Sequence, residues 1–124
     1  MKIGIEYEIT RIVESQHTAS AIKSGAVDVL ATPIMIAFME EAAMELAAPH
    51  LEEGYTTVGT VVNIMHNLPT AVGKQVTSCA VLTGAEGRKL SFSVEVICDG
   101  VIVGQGKHER AIINLEKFMQ KIRC

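Results

Sequence analysis

The chain has 124 residues, of which 48% are hydrophobic and 20% are charged, and its formal net charge is -3. A chain of this size and composition predicts one domain, residues 1–124, with its own buried core. The negative charge, without a basic cluster containing aromatic residues, argues against nucleic-acid binding. No apolar run is long enough to span a bilayer and the first residues do not form an apolar signal segment, so we expect a cytoplasmic protein without a membrane partner.

Three cysteines, Cys79, Cys98 and Cys124, are odd in number and widely separated, so they predict neither a disulfide framework nor a metal site.

Alternation of apolar and polar residues from Ile3 to Ile9 predicts a first strand. The following stretch, "SQHTASAIKSGAVD", has many small residues and no sustained period, which indicates a loop or a short helical lid.

A long helix should follow at "TPIMIAFMEEAAMELAA", because a threonine and a proline are favoured where helices begin. Glu41 stacks with Glu45 on this helix and predicts a solvated edge, whereas Glu40 stacks with apolar residues. An ionised carboxylate on an apolar face costs several kcal/mol unless it is paired or faces a cavity. Glu40 is therefore a candidate functional residue, and a structural ion pair or a position at a wet rim remains the alternative.

Four strands should follow the helix, which Pro49 ends. The first is "TTVGTVVNIMHNL", and three more lie in the segment from Gln75 to Ile113, separated by turns at residues 85–88 and at Asp99-Gly100. A charged amphipathic stretch, Leu115 to Arg123, predicts a terminal helix. A central helix that is this apolar requires a sheet that wraps around it.

The strand after the helix carries a second candidate residue, His66. Regular alternation would place Val58, Thr60, Val62, Ile64, His66 and Leu68 on one face of this strand. The opposite face holds Val61 and Met65, so we expect a second subunit to cover it. A lone histidine on an apolar face is more often a core group than a catalyst. Glu40 and His66 are nevertheless two titratable groups that should converge in one apolar pocket, which is what an active site requires.

Three motifs, "LATPIMIAFMEEA", "GTVVNIMHNLPTAVG" and "GQGKHERAIINLEKF", resemble in order and spacing the hotdog-fold thioesterases of the fluoroacetyl-CoA thioesterase type. The resemblance implies an α+β hotdog fold, in which an antiparallel sheet of about five strands wraps a long central helix. It also implies a homodimer or a dimer of dimers with acyl-CoA sites at the subunit interface, and no cofactor besides the CoA thioester that is the substrate.

The same resemblance implies roles for individual residues. Catalysis would fall to Thr32, Glu40 and His66, and Gly59 would let the thioester approach the backbone. Glu40 could act as base or as nucleophile, and the alternative for Thr32 is a plain helix cap. We further expect a backbone N–H of Ile34 or Met35 to face the oxyanion, and basic residues to bind the CoA phosphates. Those basic residues are Lys107, His108 and Arg110.

The expected reaction is hydrolysis of short acyl-CoA thioesters. A non-catalytic acyl-CoA-binding protein and a hotdog hydratase or dehydratase are the alternatives. The family's namesake has an aromatic lid, whereas this chain has "SGAVDV", with no Phe, Tyr or Trp between Tyr7 and Phe38. An acyl pocket bounded by Val29, Leu30, Ile34 and Met35 should accept short aliphatic groups without a strong preference for fluoroacetyl-CoA.

Overall fold

The computed structural model describes all residues, 1–124. Five strands and three α-helices, with two short 3-10 turns at Ser15–His17 and Ala48–His50, make up the chain. In chain order they are β1 (Glu6–Ile12), α1 (Ala19–Ile22), α2 (Thr32–Ala47), β2 (Tyr55–His66), β3 (Gln75–Glu86), β4 (Lys89–Cys98), β5 (Val101–Asn114) and α3 (Leu115–Gln120). No helix is both long enough and apolar enough to cross a membrane.

The strands form one antiparallel sheet in the order β1-β3-β4-β5-β2, and α2 packs on one face of it. The buried side of α2 interdigitates with the inward-facing side chains of the central strands. This core includes Met35, Phe38, Met39 and Leu46 from the helix and Val76, Leu82, Phe92 and Val94 from the sheet. The predicted α+β architecture, a long helix against five antiparallel strands, is confirmed.

Several local predictions hold, and others need adjustment. Asp99 and Gly100, with φ of 51° and 75°, form the predicted two-residue turn between β4 and β5. The predicted lid consists of the Ser15–His17 turn and α1. The first strand starts later than alternation suggested, and α3 ends at Gln120 rather than at Arg123.

The predicted phase of β2 is wrong at its start, because a bulge lies between Gly59 and Val61. A bulge adds one residue to a strand and so exchanges the faces on either side of it. Before the bulge, Thr57 and Gly59 face α2. After the bulge, Val62 and His66 face α2. Val62 pairs with His108 of β5 and His66 pairs with Gly104, and both of these β5 residues face inward. Val58 is therefore not on the face that carries His66. The bulge lets Gly59 and His66, seven positions apart, point toward the same helix.

Strand β2 lies at one edge of the sheet and pairs only with β5. It is 12 residues long, and its side chains Val61, Val62 and Met65 are exposed. A long edge strand with unpaired backbone groups and exposed apolar residues is a template for pairing with another strand.

Candidate active site

The start of α2 and the end of β2 bring Thr32 and His66 together. Thr32 Oγ1 lies 2.7 Å from His66 Nδ1. Ala31 is the N-cap of α2 and Thr32 is the first helical residue, so the Thr32 hydroxyl does not cap the helix. The plain-cap interpretation of Thr32 is therefore wrong, since its hydroxyl is used to position the imidazole of His66.

The second ring nitrogen of His66, Nε2, is buried and has no hydrogen-bond partner. Burial lowers the pKa of His66 below its ordinary value of 6.5, while the nearby backbone of Leu68 opposes this effect. The shift favours the neutral form of the imidazole. A buried polar atom without a partner is rare in folded proteins and often marks a place where a ligand supplies the missing bond. His66 and Thr32 line a cavity of about 270 Å³ together with Val29 and Leu30.

Glu40 lies two turns further along α2. Its Oε2 is 3.8 Å from Arg110 Nη1, and its side chain is 40% exposed. A Cβ atom added at Gly59 would lie 2.7 Å from the same oxygen, so the glycine makes room for the carboxylate. The helix accepts Glu40 because the carboxylate is paired with a cation and reaches solvent, which removes most of the burial cost. Its neighbour Glu41 is partly exposed, as predicted, and also forms an ion pair with Arg11 of β1.

Arg110 is held by a network of buried groups. Its Nε donates to Thr57 Oγ1 at 2.8 Å, its Nη2 donates to Thr57 O at 3.0 Å, and its Nη1 is 3.2 Å from His108 Nε2. His108 Nδ1 lies 2.8 Å from Val61 O, a carbonyl that can only accept, so Nδ1 carries the proton and Nε2 accepts from Arg110. Burial lowers the pKa of His108, and the charge of Arg110 lowers it further, while the Val61 bond and Glu40 oppose this. Arg110 therefore presents one guanidinium nitrogen to Glu40 in a fixed orientation.

The prediction that His108 and Arg110 bind CoA phosphates is wrong. His108 is 1% exposed and Arg110 is 6% exposed, and both lie on the helix side of β5. Alternation along β5 would have revealed this, because Gly104, Gly106, His108 and Arg110 share one face of the strand. Lys107 is exposed on the opposite face, where its Nζ donates to Ser93 Oγ at 2.7 Å. The structure therefore does not bring Lys107 to the other candidate residues.

The expected positions of Ile34 and Met35 are corrected in part. Met35 is fully buried in the core, and its N–H donates to Ala31 O at 2.9 Å, so it neither bounds the cavity nor offers a free donor. The N–H of Ile34 makes no backbone hydrogen bond and remains a free donor at the start of α2. Ile34 packs against the core, and of the predicted pocket residues only Val29 and Leu30 line the cavity.

Within one chain these candidate residues form two groups. One is the Thr32–His66 pair, and the other is the Glu40 cluster, which we define as Glu40, Thr57, Gly59, His108 and Arg110. Thr32 and Glu40 are eight residues apart on α2, which corresponds to about 12 Å along the helix axis. No hydrogen bond or ion pair joins the two groups.

Comparisons with known proteins place the fold and the motifs in one family. The family model described as fluoroacetyl-CoA-specific thioesterase (FlK) matches residues 13–116. A fluoroacetyl-CoA thioesterase of Streptantibioticus cattleyicolor is 44% identical over 97 residues, which cover 77% of this chain and 69% of that protein.

Two crystal structures of point mutants of the fluoroacetyl-CoA-specific thioesterase FlK are also similar. One has a TM-score of 0.93 and 35% identity and covers 99% of this chain and 96% of that chain. The other, a complex with fluoroacetate and CoA, has a TM-score of 0.90 and 35% identity and covers 95% of this chain and 99% of that chain. The chain belongs to the FlK family of thioesterases and has the predicted hotdog fold.

Proposed function

We propose that this protein hydrolyses short acyl-CoA thioesters to a free acid and CoA, in active sites built by two copies of the chain. One observation carries the two-copy arrangement: the Glu40 cluster and the Thr32–His66 pair do not meet within one chain, yet an unpaired strand edge lies beside both. The family's activity and the CoA bound to a related enzyme support the substrate class.

Pairing of β2 with β2 of a second copy would complete the site. In an antiparallel register centred between Val62 and Asn63, Gly59 lies opposite His66 of the partner subunit. Glu40, which lies against Gly59, then faces the partner's Thr32 and His66. The same pairing covers the exposed apolar side chains of the β2 edge, and two-fold symmetry creates two equivalent sites. A dimer of dimers could form from this unit without changing either site.

The chemistry follows from the groups that meet. In one route the Glu40 carboxylate attacks the thioester carbon, the C–S bond breaks to release CoA thiolate, and water then hydrolyses the mixed anhydride to the free acid and the carboxylate. In the other route Glu40 takes a proton from the water that attacks the thioester carbon, and this proton leaves with the CoA thiolate when the C–S bond breaks. In this scheme the Thr32 hydroxyl donates a hydrogen bond to His66 Nδ1, so the single ring proton of the neutral imidazole is on Nε2, the buried nitrogen without a partner. His66 Nε2–H and the free Ile34 N–H donate to the oxygen on which negative charge develops.

Arg110 has a positioning role in this scheme. Thr57 and His108 engage three of its five N–H groups, and Nη1, which bonds His108, also lies 3.8 Å from Glu40 Oε2. A guanidinium fixed in this way limits the orientations of the carboxylate, and it stays charged at any pH at which the enzyme works. The carboxylate of Glu40 is thereby aimed across the strand edge.

The three cysteines are free thiols, which agrees with our proposal of a cytoplasmic location.

An exchange experiment tests the two-copy site. Glu40→Gln and His66→Ala homodimers should both be inactive, whereas a mixed dimer contains one site with both native groups. After random subunit exchange, about half of the dimers are mixed and each has one intact site, so activity should return to about a quarter of the native level. If all residues of a site came from one chain, mixing would restore nothing. A monomer in light scattering at micromolar concentration would also contradict the proposal.

Release of free thiol separates hydrolysis from the two alternatives. A non-catalytic acyl-CoA-binding protein would bind acetyl-CoA without turnover, and a hydratase or dehydratase would change the acyl chain while leaving the thioester intact. A thiol-reactive dye reports only the C–S cleavage, so a positive signal that depends on Glu40 identifies a thioesterase. Absence of thiol release across a panel of short acyl-CoAs would contradict the proposed function.

Selectivity among short acyl groups should be weak. The cavity beside Thr32 and His66 is lined by small, aliphatic and polar residues and contains no Phe, Tyr or Trp. Each methylene in such a pocket is worth only about 1–3 kcal/mol, and replacing one hydrogen with fluorine changes the volume little. We therefore expect kcat/KM values for acetyl-CoA and fluoroacetyl-CoA within about tenfold of each other, with propionyl- and butyryl-CoA also accepted. A fluoroacetyl preference above about a hundredfold, or about 2.7 kcal/mol, would contradict this expectation.

A further inference from the structure

The cavity of about 270 Å³ that Thr32 and His66 line, which we call the acyl cavity, has two further polar side chains in its wall. They are Ser24, which follows α1 in the lid, and Asn67, which directly follows β2. Thr32 bonds to His66, whereas the Ser24 hydroxyl and the Asn67 amide make no hydrogen bond within the chain. The acyl cavity therefore offers two polar groups that neither the fold nor the proposed hydrolysis engages.

Hydrogen bonds within the lid hold Ser24 in the cavity wall. Ser24 N donates to Ala19 O at 3.0 Å, so the chain after α1 turns back on this helix. Ala19 also lines the acyl cavity, and its N–H donates to Val29 O at 2.9 Å. The Ser20 hydroxyl bonds to the Asp28 carboxylate, which joins α1 to the segment that returns to α2. These bonds position Ser24 before a ligand enters, and preorganised groups bind at a lower entropic cost.

The end of the sheet anchors Asn67. The backbone N–H groups of Asn67 and Leu68 both donate to Val103 O, at 2.8 and 3.2 Å. Asn67 is also the residue after His66, whose Nε2 donates to the thioester oxygen in the proposed reaction. A substrate group that bonds to the Asn67 amide should therefore lie close to the thioester carbonyl, on the α carbon of the acyl group.

We propose that the acyl cavity favours short acyl groups with a hydroxyl on the α carbon, so that α-hydroxyacyl-CoA thioesters are the preferred substrates; this proposal rests on the proposed function. The Ser24 hydroxyl and the Asn67 amide can each donate and accept a hydrogen bond. A hydroxyl on the substrate also donates and accepts, so it can bond to both groups at once. A methyl group in the same place does neither, and a fluorine bound to carbon has no proton to donate.

The exposure of the two side chains sets the size of the preference. Ser24 and Asn67 are exposed, so water bonds to them in the free protein and the substrate replaces that water. This exchange gives a modest net gain, whereas a site whose polar groups are buried rejects a substrate without the matching group far more strongly. We therefore expect the α-hydroxyl to raise kcat/KM by about tenfold.

The test compares glycolyl-CoA, propionyl-CoA and fluoroacetyl-CoA, which differ only in the group on the α carbon: hydroxyl, methyl or fluorine. For the native enzyme, kcat/KM in a thiol-release assay should be about tenfold higher for glycolyl-CoA than for propionyl-CoA, with fluoroacetyl-CoA close to propionyl-CoA. In the double variant Ser24→Ala/Asn67→Ala, the ratio of glycolyl-CoA to propionyl-CoA should fall to about one.

Ser91→Ala/Gln105→Ala is the matched control, because it also removes one hydroxyl and one carboxamide. Both residues lie on the face of the sheet away from α2, and neither side chain makes a hydrogen bond within the chain. The control should keep the native ratio of about ten.

A ratio near one in the native enzyme, or a native ratio that survives in the Ser24→Ala/Asn67→Ala variant, would overturn the proposal. Either result leaves the proposed function intact as long as propionyl-CoA releases thiol, whereas absence of thiol from all three substrates contradicts the proposed function. Binding to the slow Glu40→Gln variant tests the acyl cavity without turnover. The dissociation constant should be about tenfold lower for glycolyl-CoA than for propionyl-CoA, and equal constants would contradict the assignment of Ser24 and Asn67.

Discussion

A Glu40→Gln variant should hydrolyse acetyl-CoA more slowly than the native enzyme by on the order of a hundredfold or more, with a much smaller change in KM. The amide keeps the shape of the side chain and its place against Gly59. It cannot act as base or nucleophile, and it removes the negative charge that faces Arg110 at 3.8 Å. The loss should therefore fall on the chemical step. A thiol-release assay at saturating acetyl-CoA measures it.

Glu45→Gln is the matched control for this experiment. Glu45 lies on the same helix and is partly exposed, but its side chain makes no hydrogen bond or ion pair within the chain. Its substitution should leave kcat and the free energy of unfolding nearly unchanged, because exposed polar replacements seldom exceed about 0.5 kcal/mol. A Glu40→Gln variant as active as Glu45→Gln would remove Glu40 from the mechanism. If Glu40→Gln is slow as expected, a single turnover of the native enzyme in oxygen-18 water separates the two routes, since only a nucleophilic carboxylate acquires the label.

Sequence alone predicts Glu40 as a candidate functional residue because its signal is local. A carboxylate among apolar helix neighbours is visible from the 3.6-residue period, and Thr32 and His66 stood out through motif and strand position. The partners of these residues were not visible in the same way. Arg110 is 70 positions from Glu40, and only the packing of α2 against the sheet, at the place where β5 pairs with β2, brings them together. The prediction that His108 and Arg110 are surface cations is wrong, although their alternation with Gly104 and Gly106 places all four on one face of β5.

Two other errors have a common physical origin. The Thr32-Pro33 pair correctly predicts the start of α2. A threonine hydroxyl can bond either to a helix N–H or to a tertiary partner, and the Thr32 hydroxyl bonds to His66. The bulge after Gly59 reversed the predicted phase of β2, and a single extra residue leaves no sign in an apolar alternation. In both cases a long-range contact decided between local options that are close in energy.

Gly59→Ala should lower kcat for acetyl-CoA by about a hundredfold while changing the free energy of unfolding by less than about 1 kcal/mol. The added methyl group would lie 2.7 Å from Glu40 Oε2 and 3.3 Å from His108 Cε1. The carboxylate is the end of a flexible, partly exposed side chain and can move, whereas His108 is held between Val61 and Arg110. Folding should therefore survive, and the cost should appear as a displaced Glu40, since a misplacement of about 1 Å can cost a hundredfold in rate.

Gly84→Ala provides the comparison that makes this result specific. Gly84 also lies in a strand next to a register irregularity, between Leu82 and Gly84, but a Cβ there would meet only Ser91 at 3.4 Å, an ordinary contact. Both substitutions place alanine in extended backbone, so their effects on strand conformation should be similar. Thermal unfolding and thiol release, measured on both variants, separate the two effects. If Gly59→Ala retains full activity, or if it loses activity only because it unfolds, the glycine does not act by making room for the Glu40 carboxylate.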